Sequence, residues 1–308
     1  MKPVLMLAGL GHGQIEILDR LDEIREYYEV QFIGERQTVY TGAFPQVIAG
    51  LMNSAKVQLP RLEPVAERVI SIDPHQQTVQ TEQGLFHYDQ LVLATGAKSR
   101  GIGTPLKPMT QALLERIDSS SEVTIAGGGK AGVELAFTCA RTKNVTLYAK
   151  RILPDVPLHR QKQIERLLVK SGIMVVKQQL QDDASEGLLL DATGVVPVEW
   201  WAESELAKPD NFIATDEYLR HHQFTNIYIT GDMASCLNGG VDAVRSGRFV
   251  AKRLLGETSQ PFRRRQSMNI LLTTPGRALL TFGQFTWHGR LPYYVKRFID
   301  SRYVRHYK

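Results

Sequence analysis

Val4-Leu5-Met6-Leu7-Ala8-Gly9-Leu10-Gly11-His12-Gly13 and, more than a hundred residues later, Val123-Thr124-Ile125-Ala126-Gly127-Gly128-Gly129-Lys130-Ala131-Gly132-Val133-Glu134-Leu135-Ala136 decide the fold of this chain. Each stretch reads as a buried strand, a tight turn nearly free of side chains, then an apolar helix. A helix start offers unpaired backbone N–H groups and the positive end of its dipole, so a turn of this kind suits a pyrophosphate. One such turn is weak evidence. Two in one chain point to two dinucleotide sites, and two dinucleotides point to electrons passing between them.

The surrounding sequence repeats the pattern. The first turn leads into a helix expected near 13–26, with Ile15, Ile17, Leu18 and Leu21 on its apolar side. Val30-Gln31-Phe32-Ile33 then forms a second strand ending at Gly34-Glu35, 26 residues after Gly9. That is close to the offset of about 20 residues at which an acid holds an adenosine ribose. The alternative for Glu35 is a solvated strand end. Short alternating strands around 67–87 precede Leu91-Val92-Leu93-Ala94-Thr95-Gly96, a buried run broken by a small-residue turn. The second cycle has strand 145–149, a helix near 158–171, strand 173–177, and Asp191-Ala192-Thr193-Gly194, a near copy of the earlier Ala-Thr-Gly turn. This is the layout of an internally duplicated α/β protein. After Pro209 the chain returns with the strand Ile227-Tyr228-Ile229 closing on Gly231-Asp232, followed by a helix from Gly240.

Bulk properties narrow the class. The chain has 308 residues, 43% hydrophobic and 22% charged, which is ordinary for a globular protein with room for two domains. No apolar run reaches transmembrane length, and the start shows no signal-peptide layout. Two cysteines, Cys139 and Cys236, carry no zinc spacing and make no disulfide scaffold. No metal site is expected, and a reducing cytoplasm is the default location. The net charge of +5 suits anionic partners, with the excess concentrated after residue 258 in Arg263-Arg264-Arg265 and the last twenty residues. No nucleic-acid module accompanies that charge, so nucleic acid is not an expected partner.

The ordered set of motifs resembles the flavoproteins of the pyridine nucleotide–disulfide oxidoreductase superfamily, in the branch of type II NADH:quinone oxidoreductases and flavoprotein domains linked to selenide, water dikinase. Gly9-Leu10-Gly11-His12 is similar to that branch's Gly-Gly-Gly-His start, and Tyr40-Thr41-Gly42-Ala43-Phe44-Pro45 to its Tyr-Ser-Gly-Met-Leu-Pro segment. Ala94-Thr95-Gly96, Lys107-Pro108, the Gly127 turn with Val133-Glu134-Leu135-Ala136, Gly231-Asp232 and Gly240-Val241 follow in order. Ile299-Asp300-Ser301-Arg302-Tyr303 is similar to the selenium-linked branch's ending.

The resemblance implies FAD at Gly9, Gly11, His12, Gly13, Glu35, Thr41, Thr95, Gly96, Gly231, Asp232, Gly240 and Val241. It implies NAD(P)H at Gly127, Gly129 and Gly132, and the bases Lys150 and Arg151 after the following strand are further candidates for that cofactor. Asp232 would accept a hydrogen bond from the flavin's ribityl chain, and the helix from Gly240 would face the isoalloxazine with its positive end. Glu134 is the candidate catalytic acid, its alternative being a helix-start carboxylate that complements the dipole. His12 reads as a turn or packing residue rather than a base. Lys130 reads as a solvated lysine.

Four departures qualify the match. Gln14, preceded by Gly13, stands where a third glycine would complete the first fingerprint. No redox cysteine pair exists, so thiol chemistry is disfavoured; Cys139 reads as core, and Cys236 lies close to the expected flavin. Between Lys177 and Asp191 the usual meander is reduced to Gln178–Gly187 and one strand, so the second domain is expected to be small. Ala149-Lys150-Arg151 replaces the acid of an NAD site with alanine and two bases, which favours NADPH.

The expected architecture is α/β, with two Rossmann-like domains and a helical tail. An FAD domain is expected at 1–106 and 208–258, a shortened, inserted NAD(P) domain at 107–207, and a basic C-terminal region at 259–308. In that region Val295, Ile299, Tyr303 and Tyr307 share a helical stripe, with Leu291 and Phe298 beside it and Lys296, Arg297, Arg302, Arg305 and Lys308 flanking. It reads as an element for an anionic membrane surface on the inner face. The alternatives are a helix packed on the flavin domain or on a homodimer partner. The expected reaction passes hydride from NAD(P)H to FAD and electrons on to a quinone or other small acceptor. The rival from another class is a non-catalytic flavin- or nucleotide-binding redox protein with a degenerate nicotinamide site.

Overall fold

Leu5, Leu7, Phe32 and Val92 join one apolar cluster, while Met6, Ala8, Ile33, Leu91 and Leu93 join another. Side chains alternate across a strand, so this split means a sheet buried on both faces. The computed structural model describes residues 1–58, 62–107, 109–180 and 187–307. Its first parallel sheet has the order Ile227–Ile229, Gln90–Leu93, Val4–Ala8, Glu29–Ile33. The helices His12–Leu18 and Gly240–Leu254 cover one face through Ile17, Leu18, Val250, Ala251 and Leu254. The antiparallel strands Val69–Asp73, Thr78–Thr81 and Gly84–His87, with the fully buried Trp201, cover the other. The helix expected near 13–26 is two helices, His12–Leu18 and Leu21–Tyr27; Arg20 stands between them and reaches Glu257 at 2.7 Å.

A second parallel sheet has five strands in the order Thr104–Pro105, Leu188–Asp191, Glu122–Ala126, Asn144–Tyr148, Met174–Val176. The short passage before Asp191 therefore still delivers an interior strand, between Thr104–Pro105 and Glu122–Ala126. Residues 181–186 within that passage lie outside those described, as do Pro108 of the Lys107-Pro108 motif and the terminal Lys308. Helix Gln111–Ser119 starts where Thr110 Oγ1 accepts from the Leu113 amide at 3.1 Å. Helices Lys130–Cys139 and Leu158–Lys170 bury Val133, Leu135, Ala136, Ile164 and Leu168 in the same core.

Chain segments fall into two compact units. The first is Met1–Thr38, Gln58–Ala97 and Val196–Arg265; the second is Val39–Val57, Lys98–Val195 and Gln266–Lys308. The Tyr40–Pro45 segment and the C-terminal region thus cluster with the second glycine turn. The fold is α/β, with Rossmann-like parallel sheets and a helical C-terminus.

The C-terminal region is an antiparallel sheet, Asn269–Leu272, Ala278–Phe282 and Phe285–Gly289, followed by the helix Arg290–His306. Tyr293 packs against Leu272 and Ala278 of that sheet, and Val304 joins the main core of the second unit. The stripe expected at Val295, Ile299, Tyr303 and Tyr307 does not form the outer face. Tyr303 stacks on Tyr40 with centroids 4.1 Å apart, and Tyr307 is buried. Leu291, Tyr294, Phe298 and Ile299 are the exposed apolar residues of the helix. No helix among the described residues is long and apolar enough to cross a membrane.

Candidate functional site

In an open parallel sheet, ligands bind outside the carboxyl ends of the strands. In the first unit those ends carry Gly9-Leu10-Gly11, Gly34-Glu35, Ala94-Thr95-Gly96 and Gly231-Asp232. Gly9 has φ +91°, and a Cβ there would lie 2.5 Å from the Thr95 amide nitrogen. The Gly11 amide donates to the Ala94 carbonyl at 3.0 Å. The structure thus presses the first turn against the Ala-Thr-Gly turn, backbone on backbone. Gly13 serves helix packing instead. A Cβ on Gly247 would lie 2.0 Å from the Gly13 carbonyl oxygen, so these two glycines let their helices touch. Gln14 is fully buried, and its side-chain amide N and O have no hydrogen-bond partner among the described residues.

Asp232 Oδ1 accepts from the Gly239 amide at 3.2 Å, which ties the strand end to the start of the helix Gly240–Leu254. Asp242, in that helix's first turn, is buried and accepts from Arg264 Nε at 2.8 Å and from the Asn238 amide at 3.2 Å. One member of the basic Arg263–Arg265 run is therefore committed to a buried carboxylate, which sequence inspection did not show. Glu35 is exposed just beyond its strand, and a Cβ on Gly96 would meet nothing within 4 Å. A backbone-lined turn, an adjacent open glycine and a carboxylate at a strand end fit an FAD pyrophosphate and ribityl chain.

In the second unit the strands Glu122–Ala126, Asn144–Tyr148 and Leu188–Asp191 end on Gly127, Ala149 and Ala192. A Cβ on Gly132 would lie 1.9 Å from the Gly127 carbonyl oxygen, whereas one on Gly129 would meet nothing within 4 Å. Gly132 thus serves close packing of helix on turn, and Gly129 faces open space. Gly129 caps a ten-residue helix, Lys130–Cys139, whose first amides lack intrahelical acceptors. Asp191, missed in the sequence as a structural acid, accepts from the Gly101 amide, the Thr193 amide and Thr193 Oγ1 at 3.0, 3.0 and 2.6 Å. These residues fit a second dinucleotide. Lys150 and Arg151 are exposed and Ala149 is buried.

Glu134 is not at the surface of its helix. Its Oε1 accepts from the Leu272 amide at 2.7 Å and lies 3.4 Å from Lys296 Nζ. Lys296 Nζ also lies 3.3 Å from Asp300 Oδ2 and donates to the Gly42 carbonyl at 3.1 Å. Gln46 Nε2 donates to Asp300 Oδ2 at 2.6 Å. Glu134, Lys296 and Asp300 are all buried. Burial pushes the Glu134 carboxyl above the usual carboxylate range, against the pull of Lys296 and the Leu272 amide. It raises Asp300 in the same way. Burial alone would lower Lys296, but the two carboxylates beside it hold its ammonium form above the usual lysine value. Glu134 and Asp300 stand 166 positions apart in the chain, so no local pattern announces the cluster; an acid and a lysine on otherwise apolar helix faces were the available signals.

The two cysteines differ in environment. Cys139 is buried in the second core, where burial pushes its thiol up to about 12. Cys236 is exposed, 3.5 Å from Thr215 Oγ1.

Known proteins are similar to this chain in sequence and in fold. A nitric oxide reductase FlRd-NAD(+) reductase from Enterobacter sp. (strain 638) is 31% identical over 252 residues, covering 70% of this chain and 66% of the relative. One from Escherichia coli O9:H4 (strain HS) is 28% identical over 62% of this chain and 59% of its own length. The chain thus spans less than two thirds of these curated relatives. Among solved structures, reduced CoADR-RHD of Bacillus anthracis superposes with a TM-score of 0.77 at 20% identity, covering 92% of this chain and 62% of that one. The ferredoxin reductase for the CYP199A2 system of Rhodopseudomonas palustris gives 0.75 at 19% identity, covering 91% and 82%. The family model for pyridine nucleotide-disulphide oxidoreductases matches residues 8–250, from the first glycine turn into the helix that ends at Leu254. The chain belongs to the pyridine nucleotide-disulphide oxidoreductase family, NAD(P)H-dependent flavoproteins whose typical cofactors are FAD and NAD(P)H.

Proposed function

We propose that this chain is an FAD-dependent oxidoreductase that takes reducing equivalents from NAD(P)H and delivers them to a quinone. The observation that carries the reading is the pair of glycine turns, each at the carboxyl end of its own parallel sheet and each closed against a second turn by backbone contact. Gly9, Gly11, His12, Glu35, Thr41, Thr95, Gly96, Gly231, Asp232, Gly240 and Val241 would hold FAD, with Gly13 spent on helix packing. Gly127, Gly129, Lys150 and Arg151 would hold the nicotinamide dinucleotide, with Gly132 letting the helix close on the turn. Bound FAD supplies two-electron acceptance from the nicotinamide and release to the acceptor. The protein's own part is to orient: Asp232 offers a carboxylate and the helix from Gly240 a positive end. Glu134, with Lys296 beside it, would be the acid–base pair nearest the second turn.

The test is an absorbance spectrum of purified protein followed by anaerobic titration. Flavin bands that bleach with NAD(P)H and recover with a soluble quinone are expected. A colourless protein that takes up no FAD on reconstitution sinks the reading; flavin that stays oxidised leaves only a non-catalytic binding protein. Recovery with ferredoxin and not with quinone would replace the acceptor. Asp232→Ala should weaken FAD retention about tenfold or more, since a hydrogen bond to a charged acceptor contributes roughly 1.5–3 kcal/mol.

The quinone assignment is supported by the Tyr40–Pro45 resemblance and by an exposed apolar surface. Phe282, Phe285 and Trp287 of the C-terminal hairpin and Leu291, Tyr294 and Phe298 of the following helix are all exposed, with Arg290, Arg302 and Arg305 on the same helix. Aromatic residues rimmed by bases suit an anionic membrane surface. Removing the helix is a poor test, because Lys296 and Val304 are core. The triple variant Phe285→Ser, Trp287→Ser, Phe298→Ser should keep its flavin and melting temperature and lose at least about tenfold in affinity for anionic vesicles. Unchanged vesicle binding would remove the membrane from this proposal.

A further inference from the structure

Arg141 presents a paired donor edge that no described residue meets. It stands just past the helix Lys130–Cys139, in the second unit, and is partly buried. Its Nη1 donates to the Ala49 carbonyl at 3.3 Å, at the end of the short helix Phe44–Ile48. Its Nε and Nη2 are buried and have no hydrogen-bond partner among the described residues. On a planar guanidinium these two nitrogens point hydrogens along one edge, the edge that grips an oxyanion through two parallel bonds. Burial pulls the group below the usual arginine range, and the Tyr293 hydroxyl opposes that shift. No carboxylate among the described residues pairs with it.

Capping the end of a helix accounts for Nη1 alone. Two buried donors left unmet are costly, and a buried charge without a counter-charge is more so. Room for a partner lies beside the Ala49 carbonyl: Gly50 has φ +66°, and a Cβ there would meet nothing within 4 Å. A second guanidinium, that of Arg297, lies 5.8 Å from the ring centroid of the same Tyr293. We propose that Arg141 anchors a phosphate-binding site beside the end of the helix Phe44–Ile48, taking the phosphate group of a lipid headgroup or of a soluble phosphate ester. Two guanidiniums around one tyrosine suit a doubly charged phosphate better than a singly charged carboxylate. The site is separate from the second glycine turn. Gly129 caps one end of the helix Lys130–Cys139 and Arg141 lies beyond the other, and ten helical residues span about 15 Å. The proposal therefore stands whether or not that turn holds a nicotinamide dinucleotide.

The experiment is thermal melting of the full chain with FAD added, using inorganic phosphate as the probe and chloride at matched ionic strength as the control. Phosphate should raise the wild-type melting temperature more than chloride does. Arg141→Met keeps the length of the side chain and removes its charge. Without phosphate it should melt no lower than wild type, since an unmet buried charge is gone, and its extra response to phosphate should vanish. Arg141→Lys keeps the charge and loses the paired edge, so its Kd for phosphate by calorimetry should rise at least tenfold. Vesicles of phosphatidylcholine with and without phosphatidic acid identify the source. Binding that needs phosphatidic acid and falls at least tenfold in Arg141→Met assigns a lipid headgroup; phosphate binding without that vesicle effect assigns a soluble ester. A wild type that responds to phosphate no more than to chloride overturns the proposal. So does an Arg141→Met protein that keeps the full phosphate response, which puts the ion elsewhere. An Arg141→Met protein that melts well below wild type, beside an Arg141→Lys protein of unchanged phosphate affinity, overturns it too and leaves Arg141 a helix cap.

Discussion

Lys296→Ala lowers the stability of the protein at neutral pH by about 3–5 kcal/mol, the usual cost of removing one partner of a buried charge cluster. The lysine is the cation shared by Glu134 and Asp300, at 3.4 and 3.3 Å, and without it two buried carboxyl groups have no counter-charge. The pH dependence follows in sign. Both carboxyls already titrate above their ordinary values, 4.5 for Glu134 and 3.8 for Asp300, because burial favours the neutral form. Groups with raised folded values stabilise the fold below their unfolded values, and that contribution is lost as pH rises through the folded ones. The variant should therefore approach wild-type stability near pH 4 and fall away as pH rises, more steeply than wild type. Chemical denaturation from about pH 4 to 8 measures this. Adding Glu134→Gln should recover part of the loss, since one uncompensated charge disappears; the two changes are strongly non-additive. A Lys296→Ala protein of wild-type stability at pH 7, with a flat pH profile, would mean that water reaches the cluster.

Gly132→Ala and Gly129→Ala lie three residues apart and should have opposite phenotypes. At Gly132 the new methyl would sit 1.9 Å from the Gly127 carbonyl oxygen, part of the turn itself. Backbone cannot step aside as a side chain can. Overpacking of this kind costs about 1–3 kcal/mol, and here it also displaces the turn, so stability and nucleotide affinity fall together. At Gly129 a Cβ meets nothing within 4 Å and φ is −72°, so alanine is accommodated. The melting temperature should change by about a degree or two, because the poorer helix cap is offset by a less mobile unfolded chain. Nucleotide affinity should still fall, since the methyl occupies the open side of the turn. Thermal melts with and without NADPH separate the two variants. Nucleotide binding by Gly129→Ala equal to wild type would place the dinucleotide elsewhere.

Much of the fold was legible because its signals are local. Two strand–glycine–helix stretches, each followed later by an Ala-Thr-Gly turn, announce two parallel sheets, and both are present. Gln14 and Gly13 illustrate how a broken motif can keep its physics: the glycine that permits close helix packing has moved by one position, next to Gly247 rather than on the strand. Cys139 read as core from its apolar neighbours, and it is buried. The shortened passage after Lys177 read as a loss, yet its one strand, Leu188–Asp191, pairs on both sides inside the five-stranded sheet. The tail was the least legible element. Its stripe read as a membrane-surface element, with a packed helix as the alternative; Lys296 and Asp300 are buried, and the exposed apolar residues are Leu291, Tyr294, Phe298 and Ile299.

By itself, then, the sequence determined the elements and the turns, because strand periodicity, helix starts and glycine are properties of neighbouring residues. The tertiary structure alone decided which distant residues share a low-dielectric interior. Glu134, Lys296, Asp300 and Gln46 are ordinary where each stands in the chain. Brought within hydrogen-bonding distance and away from water, they become mutually dependent, since a buried charge is tolerable only beside its counter-charge. The same holds for Lys150 and Arg151: their charge is written in the sequence, but their position against Gly128 is set by the hydrogen bond that the Leu153 amide donates to the Gly128 carbonyl.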